Sequence, residues 1–226
     1  MFVVPIKMVS TLQTLKFFKP VARVLMVMVA ENKKLKFIKF LKYVNLNLEN
    51  MSKEEHRELK KTINSNEGRK LLFKYLEEVT SIDSDIAMMA LTLLFCEDPE
   101  FDFDLFYEVL ILKALKQLDD QTINFFIRAT RDVELQKNKK LPYDRVTVSS
   151  NSCLLDENWN QESVGIVIRQ LQELNLLLPD PCSTSPYAGS DDNWMVEYGI
   201  SDNTRKIASL FDKARLLSSE YELQQA

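Results

Sequence analysis

Apolar positions recur at helical spacing along most of the chain, and strand-like alternation is confined to the part from Arg145 onward. In the stretch from Gln161 onward, Val164, Val167, Ile168, Leu171 and Leu174 fall on one face of an amphipathic helix. Leu176 to Leu178 follow as a short apolar strand, and Pro179 to Asn193 read as a polar turn region with three prolines. Trp194 to Ile200 return as a second strand. Ser201 or Asp202 then caps a closing helix carrying Ile207, Ala208, Leu210 and Phe211, with a frayed polar tail from Glu220.

Earlier in the chain, the uninterrupted run IAMMALTLLF within Asp85 to Phe95 predicts a central core helix, with Ile86, Met89, Leu93 and Leu94 inside. Ser52 followed by Glu55 is a capping box for a helix through Lys61, and Asn64 to Gly68 breaks it before another helix starts at Arg69. Asp102 or Asp104 caps a helix over Leu105 to Leu118, and Asp119 or Asp120 caps the next, 119–131. Gln136 to Trp159 is the least regular part, with Arg145 to Val148 alternating as a strand. Met1 to Ala30 is apolar with scattered cations. Its longest uncharged run is too short to span a bilayer, which needs about 20 residues. It reads as a buried helix, with an interfacial membrane helix as the alternative.

The helix, hairpin and helix from LQELNLLL through WMVEYGISDNTRKIASLF resemble the second half of a winged-helix domain. The resemblance covers about a quarter of the chain and departs at Asn175 and Thr204, where that family usually has Gly. It implies a mainly α fold, with a helical domain over 1–131 and a winged-helix domain with a small β-hairpin over 132–226. The helix 119–131 is assignable to either. The whole layout is similar to a loose group of bacterial accessory proteins, some of them tied to phage defence or abortive infection. The matching segments are SKEEHRELKKTINSNEGRKLLFKYLEEVTS, the central apolar helix and LKALKQLDDQTINFFI. That likeness implies an accessory role in antiviral defence or a toxin-like system, and it carries over no catalytic residue.

Charge sharpens the picture. Residues 1–75 hold 16 Lys and Arg against 6 Asp and Glu, whereas the remainder holds 13 against 27. The basic half marks an interacting surface. Lys36, Lys39 and Lys42 share one side of an amphipathic helix, with Phe37, Ile38, Phe40, Leu41 and Val44 on the other. Lys33, Lys34, Lys36, Lys39, Lys42 and Tyr43 form the candidate interaction face. The partner expected for it is an acidic protein or the chain's own acidic half, with nucleic acid or an anionic membrane as alternatives.

Catalytic chemistry finds no footing in the sequence. His56 is the sole histidine and sits among charges, where a solvated side chain is expected. Cys96, Cys153 and Cys182 are far apart and form no CxxC, which fits reduced thiols in the cytoplasm and argues against a zinc cluster. Gly68, Gly165, Gly189 and Gly199 are isolated, so no phosphate-cradling loop exists. The acidic CEDPEFDFD lacks the glycine and terminal glutamate of a calcium loop. A non-enzymatic interaction protein without cofactor or metal is therefore expected. A DNA-binding regulator is the runner-up, with Arg169 as its contact, since Arg169 is the one cation between Gln161 and Asn175.

Overall fold

The computed structural model describes residues 31–64, 75, 77–96, 98–133, 135–136, 143–156, 158–179, 187–190 and 193–225. The expected helix in Met1 to Ala30, the break and restart around Asn64 to Arg69, the tip of the wing, Cys182 and the Trp194 side chain lie outside the described residues. The fold is mainly helical with a small antiparallel sheet. Its contacts divide into two units, Met1–Asp83 with Met88–Asp102, and Ser84–Ala87 with Phe103–Ala226.

In the first unit, α1 (Glu31–Asn50) buries Phe40, Leu41, Tyr43, Val44 and Leu48, a stripe at helical spacing. Phe95 meets the rings of Phe40 and Tyr75 edge-on, at centroid distances of 5.6 and 5.7 Å. Helix α2 (Lys53–Asn64) starts on the expected capping box. The Ser52 amide donates to the Glu55 carboxylate at 2.7 Å and the Glu55 amide to Ser52 Oγ at 3.3 Å. Hydrogen bonds to the carboxylate from the Ser52 side chain and from its amide hold the Glu55 carboxyl below its ordinary range. His56 is not solvated as expected. It is half-buried, its Nε2 2.5 Å from the Leu48 carbonyl, because the turn at Met51 folds α2 back onto the end of α1, where carbonyls lack helical partners.

Helix α3 (Asp85–Phe95) is buried nearly throughout, including Ile86, Met89, Leu93 and Leu94 as expected. A polar side chain within it, Thr92, is satisfied by donating to the Met88 carbonyl at 2.9 Å. A short 3-10 turn follows at Pro99–Phe101.

The second unit begins on two aspartate caps. Asp104 caps α4 (Leu105–Leu115) by accepting from the Tyr107 amide at 3.0 Å. Asp119 caps α5 (Asp120–Arg131) by accepting from the Thr122 amide at 2.7 Å. Helix α4 stops three residues short of the expected Leu118. Asp120 Oδ1 accepts from Ser84 Oγ at 2.5 Å and from the Ile86 amide at 3.2 Å.

The sheet runs β1 (Leu135–Gln136), β2 (Asp144–Ser149), β5 (Asn193–Ile200), β3 (Leu178–Pro179), with β4 (Tyr187–Ser190) also paired to β5, all antiparallel. Val146 stands opposite Tyr198 and Val148 opposite Val196, so the alternating apolar positions of β2 and β5 bury one face. On the other face Arg145 pairs with Glu197. Between β2 and β3 lies α6 (Gln161–Glu173), and α7 (Asp202–Gln225) closes the chain. The tail from Glu220 is helical to Gln225 rather than frayed.

The two units divide near Asp102, and the sequence left the helix 119–131 assignable to either side. Helix α5 goes with the later chain because it packs along α7, Phe126 against Phe211 with ring centroids 5.8 Å apart. Arg131 and Asp212 pair between the same two helices. The buried Tyr198 hydroxyl of β5 donates to the Ala129 carbonyl at 2.8 Å, satisfying one of the acceptors that the last turn of α5 leaves open. Burial pushes the Tyr198 phenol far up, with Cys153 adding to the shift.

Candidate functional site

Helix α6 owes its position to both ends. Asn160 and Ser163 form a reciprocal capping box at its start, each side chain bonded to the other's amide at 2.9 Å. At its end Asn175 takes φ 57°, the Leu176 amide donates to the Leu171 carbonyl at 2.9 Å, and the Asn175 amide to the Gln172 carbonyl at 2.9 Å. This pair of bonds is the Schellman arrangement, with apolar Leu171 and Leu176 buried beside it. Asn175 fills the left-handed position that glycine usually takes, since Asn tolerates it better than other side chains. The second departure, Thr204, is also absorbed. The Thr204 amide donates to Ser201 Oγ at 3.1 Å and the Ser201 amide to Thr204 Oγ1 at 3.3 Å, which fixes the start of α7.

With these ends fixed, Val164, Val167, Ile168 and Leu171 face inward. Leu177 and Ile207 are buried as expected, whereas Leu174 is only half-buried, because it sits at the turn ending α6. The outer face of α6 carries Glu162, Ile166, Arg169 and Glu173. Ile166 is 59% exposed, and Arg169 Nε lies 3.4 Å from Glu173 Oε1, one helical turn on. Sequence reasoning singled out Arg169 and passed over Ile166. The wheel that buries Val164, Val167 and Ile168 already placed Ile166 outside.

The basic face of α1 is less uniform than its sequence suggested. Lys33 is exposed, while Lys34, Lys36, Lys39 and Lys42 are half-buried. Lys36 Nζ lies 2.6 Å from Asp83 Oδ1 and 3.3 Å from the Thr80 carbonyl, so part of its charge is answered within the first unit. Tyr43 is not part of this face. It is fully buried, because it stands three residues after Phe40 and so joins the inward stripe, and Lys39 Nζ lies 5.8 Å from its ring centroid.

In the second unit a depression of about 390 Å³ is lined by Gln121, Asn124, Phe125, Arg128, Asp156, Asn158 and Trp159. Its polar centre serves the fold. Arg128 pairs with Asp156 and donates to the Cys153 carbonyl, which ties the turn before α6 to α5. The Asp156 carboxyl is held below its usual range by the Arg128 hydrogen bond, assisted by the Asn158 amide. Trp159 rests on Phe125 with ring centroids 4.8 Å apart.

Cys96 is buried, and Cys153 donates its thiol hydrogen to the Asp132 carbonyl at 2.7 Å. Among the described residues no group of His, Cys, Asp and Glu is placed to hold a metal ion, and no helix is long and apolar enough to cross a membrane. Comparison of the chain with family models, with curated proteins and with solved structures gives no match.

Proposed function

We propose that the chain is a non-catalytic interaction protein whose second unit is a winged-helix-like module used for protein contact. Support for the module comes from order and pairing. Helix α5, strand β2, helix α6, then β3 and β5 follow one another, and β5 lies between β2 and β3 in the sheet. Among the described residues between β2 and α6, turns stand where a helix-turn-helix would have its first helix, and no described helix there braces α6 as a recognition helix is braced on a DNA backbone.

The observation that carries protein contact is the outer face of α6. Its one cation, Arg169, is matched by Glu173; Glu162 adds a further negative charge, and Ile166 presents an apolar side chain to solvent. Phosphate contacts supply most of the affinity for DNA, and such a face offers them little. An exposed aliphatic side chain between charged neighbours suits the centre of a protein interface. The place of such a partner in bacterial antiviral defence rests on the resemblance of the layout, and its place in the cytoplasm on the scattered cysteines.

A photo-crosslinking residue at position 166 tests this in the cells that make the protein. We expect one dominant protein adduct, absent when the crosslinker is moved to buried Leu171. Binding of purified protein to duplex DNA that weakens in Arg169→Ala would instead establish the DNA-binding reading.

A further inference from the structure

We infer that the first turn of α4 is a docking surface for a cationic amphipathic helix of a partner protein. This surface is separate from the outer face of α6 and does not depend on it.

Leu105 and Phe106 are 72% and 69% exposed, side by side at the start of α4. Val109 and Leu110 lie one turn further and are only half-buried, which extends the apolar strip along the helix. Large neighbouring apolar side chains left in water mark an interaction site more often than isolated ones do. Nothing in the capping of α4 requires them, because Asp104 alone meets the Tyr107 amide.

Charge selects the occupant. Asp104 and Glu108 flank the two exposed side chains, and within the second unit the residues from Phe103 to Leu112 carry these two acids and no Lys or Arg. A surface of this sign repels nucleic acid and anionic lipid headgroups. It attracts a segment that places apolar residues at helical spacing between lysines or arginines. The protein already shows the pairing on a small scale, since Lys206 Nζ lies 4.8 Å from the ring centroid of Phe103, immediately before Asp104. Lys113, seven residues after Phe106 and on the same face, ends the acidic strip.

The probe is a synthetic leucine–lysine amphipathic helix of about four turns, compared with the same residues in scrambled order. Full-length protein should bind the amphipathic peptide in preference to the scrambled one, more weakly as salt rises. The Leu105→Ser/Phe106→Ser variant should lose about tenfold or more in affinity, as expected when apolar anchors are removed. Glu108→Lys should weaken binding as well, while Leu223→Ser, at an exposed position on α7, should leave it unchanged. Equal binding of the scrambled peptide, or unchanged affinity in the double variant, overturns the inference. So does self-association or vesicle binding that the double variant abolishes, because a second copy or a membrane would then be the occupant. If the double variant fails to fold, Glu108→Lys decides alone, and unchanged peptide affinity overturns the proposal.

Discussion

The ring of Tyr143 lies across the α-carbon of Gly199. A Cβ on residue 199 would stand 2.2 Å from Tyr143 Cε2 and 2.3 Å from Cδ2, closer than atoms tolerate. The Tyr143 hydroxyl reaches over to donate to the Pro179 carbonyl at 2.8 Å, and Leu178 is the register partner of Gly199. Tyrosine and glycine together therefore let the residue before β2 clasp β3 across the end of β5. Gly199→Ala should push the ring off the strand, break that hydrogen bond and cost about 1–3 kcal/mol, the usual range for overpacking. In a Tyr143→Ala background the same substitution should cost much less. Denaturant melts of the two single variants and the double variant check this, and additive losses would show that the ring is not what excludes the Cβ.

The left-handed Asn175 makes a second prediction. At φ 57° a β-branched side chain meets the backbone, so Asn175→Val should cost about 1–2 kcal/mol in thermal or denaturant melts. Asn175→Gly should fall within about 0.5 kcal/mol of the parent, because glycine is the ordinary occupant of this position. Equal effects of the two would contradict the role of the left-handed turn in ending α6.

How much of this was readable in advance follows the range of each signal. The caps at Ser52, Asp104 and Asp119 and the apolar run of α3 are local, and each lies where the sequence put it. The pairing of β2 with β5 joins Arg145 to Gly199 across the whole of α6, so alternation in Arg145 to Val148 revealed a strand but not its neighbour. The side to which helix 119–131 belongs stayed open for the same reason, because the contact of Phe126 with Phe211 is not encoded near either residue. Tyr43, an aromatic interleaved with the lysines, reads as part of their face, although helical spacing from Phe40 turns it inward. The polarity of the tail from Glu220 suggests fraying, yet Glu, Leu and Gln are good helix formers, and α7 continues through them.

Asp212 sets a pH dependence. Burial alone would raise its carboxyl, but hydrogen bonds from Arg215 and Arg131 outweigh this and hold it below the ordinary 3.8. A carboxyl held low in the fold binds its proton less readily than in the unfolded chain. Its contribution is therefore fully present above 3.8 and is lost as pH falls through the lower folded value. Asp212→Asn should cost roughly 1–2 kcal/mol near neutrality, where two guanidinium groups lose a charged acceptor. The gap between parent and variant should narrow as the solution is acidified. Stability measured by denaturant from neutral pH down to about 3 checks this, and a constant gap would mean that the pairing of Asp212 with Arg131 and Arg215 contributes nothing.

The basic face of α1 yields the last prediction, because Lys36 has two roles to separate. Its ammonium is 2.6 Å from Asp83 Oδ1 and 3.3 Å from the Thr80 carbonyl, yet the Asp83 side chain is 92% exposed, so water screens the pair. Lys36→Glu should therefore cost only about 0.5–1 kcal/mol, and combining it with Asp83→Lys should restore part of that loss. A combined change of Lys36, Lys39 and Lys42 would confuse this stability effect with the loss of a partner. Lys33 is the exposed lysine of the face, so its substitution is read by capture and by melting together. If the face meets an external acidic protein, Lys33→Glu should weaken capture of that protein by more than any change in the melting curve accounts for. If the face serves only the chain's own acids, Lys33→Glu should leave capture unchanged and lower stability, as Lys36→Glu does. Salt-sensitive binding to random duplex DNA, reduced by Lys33→Glu, would overturn both and assign the face to nucleic acid.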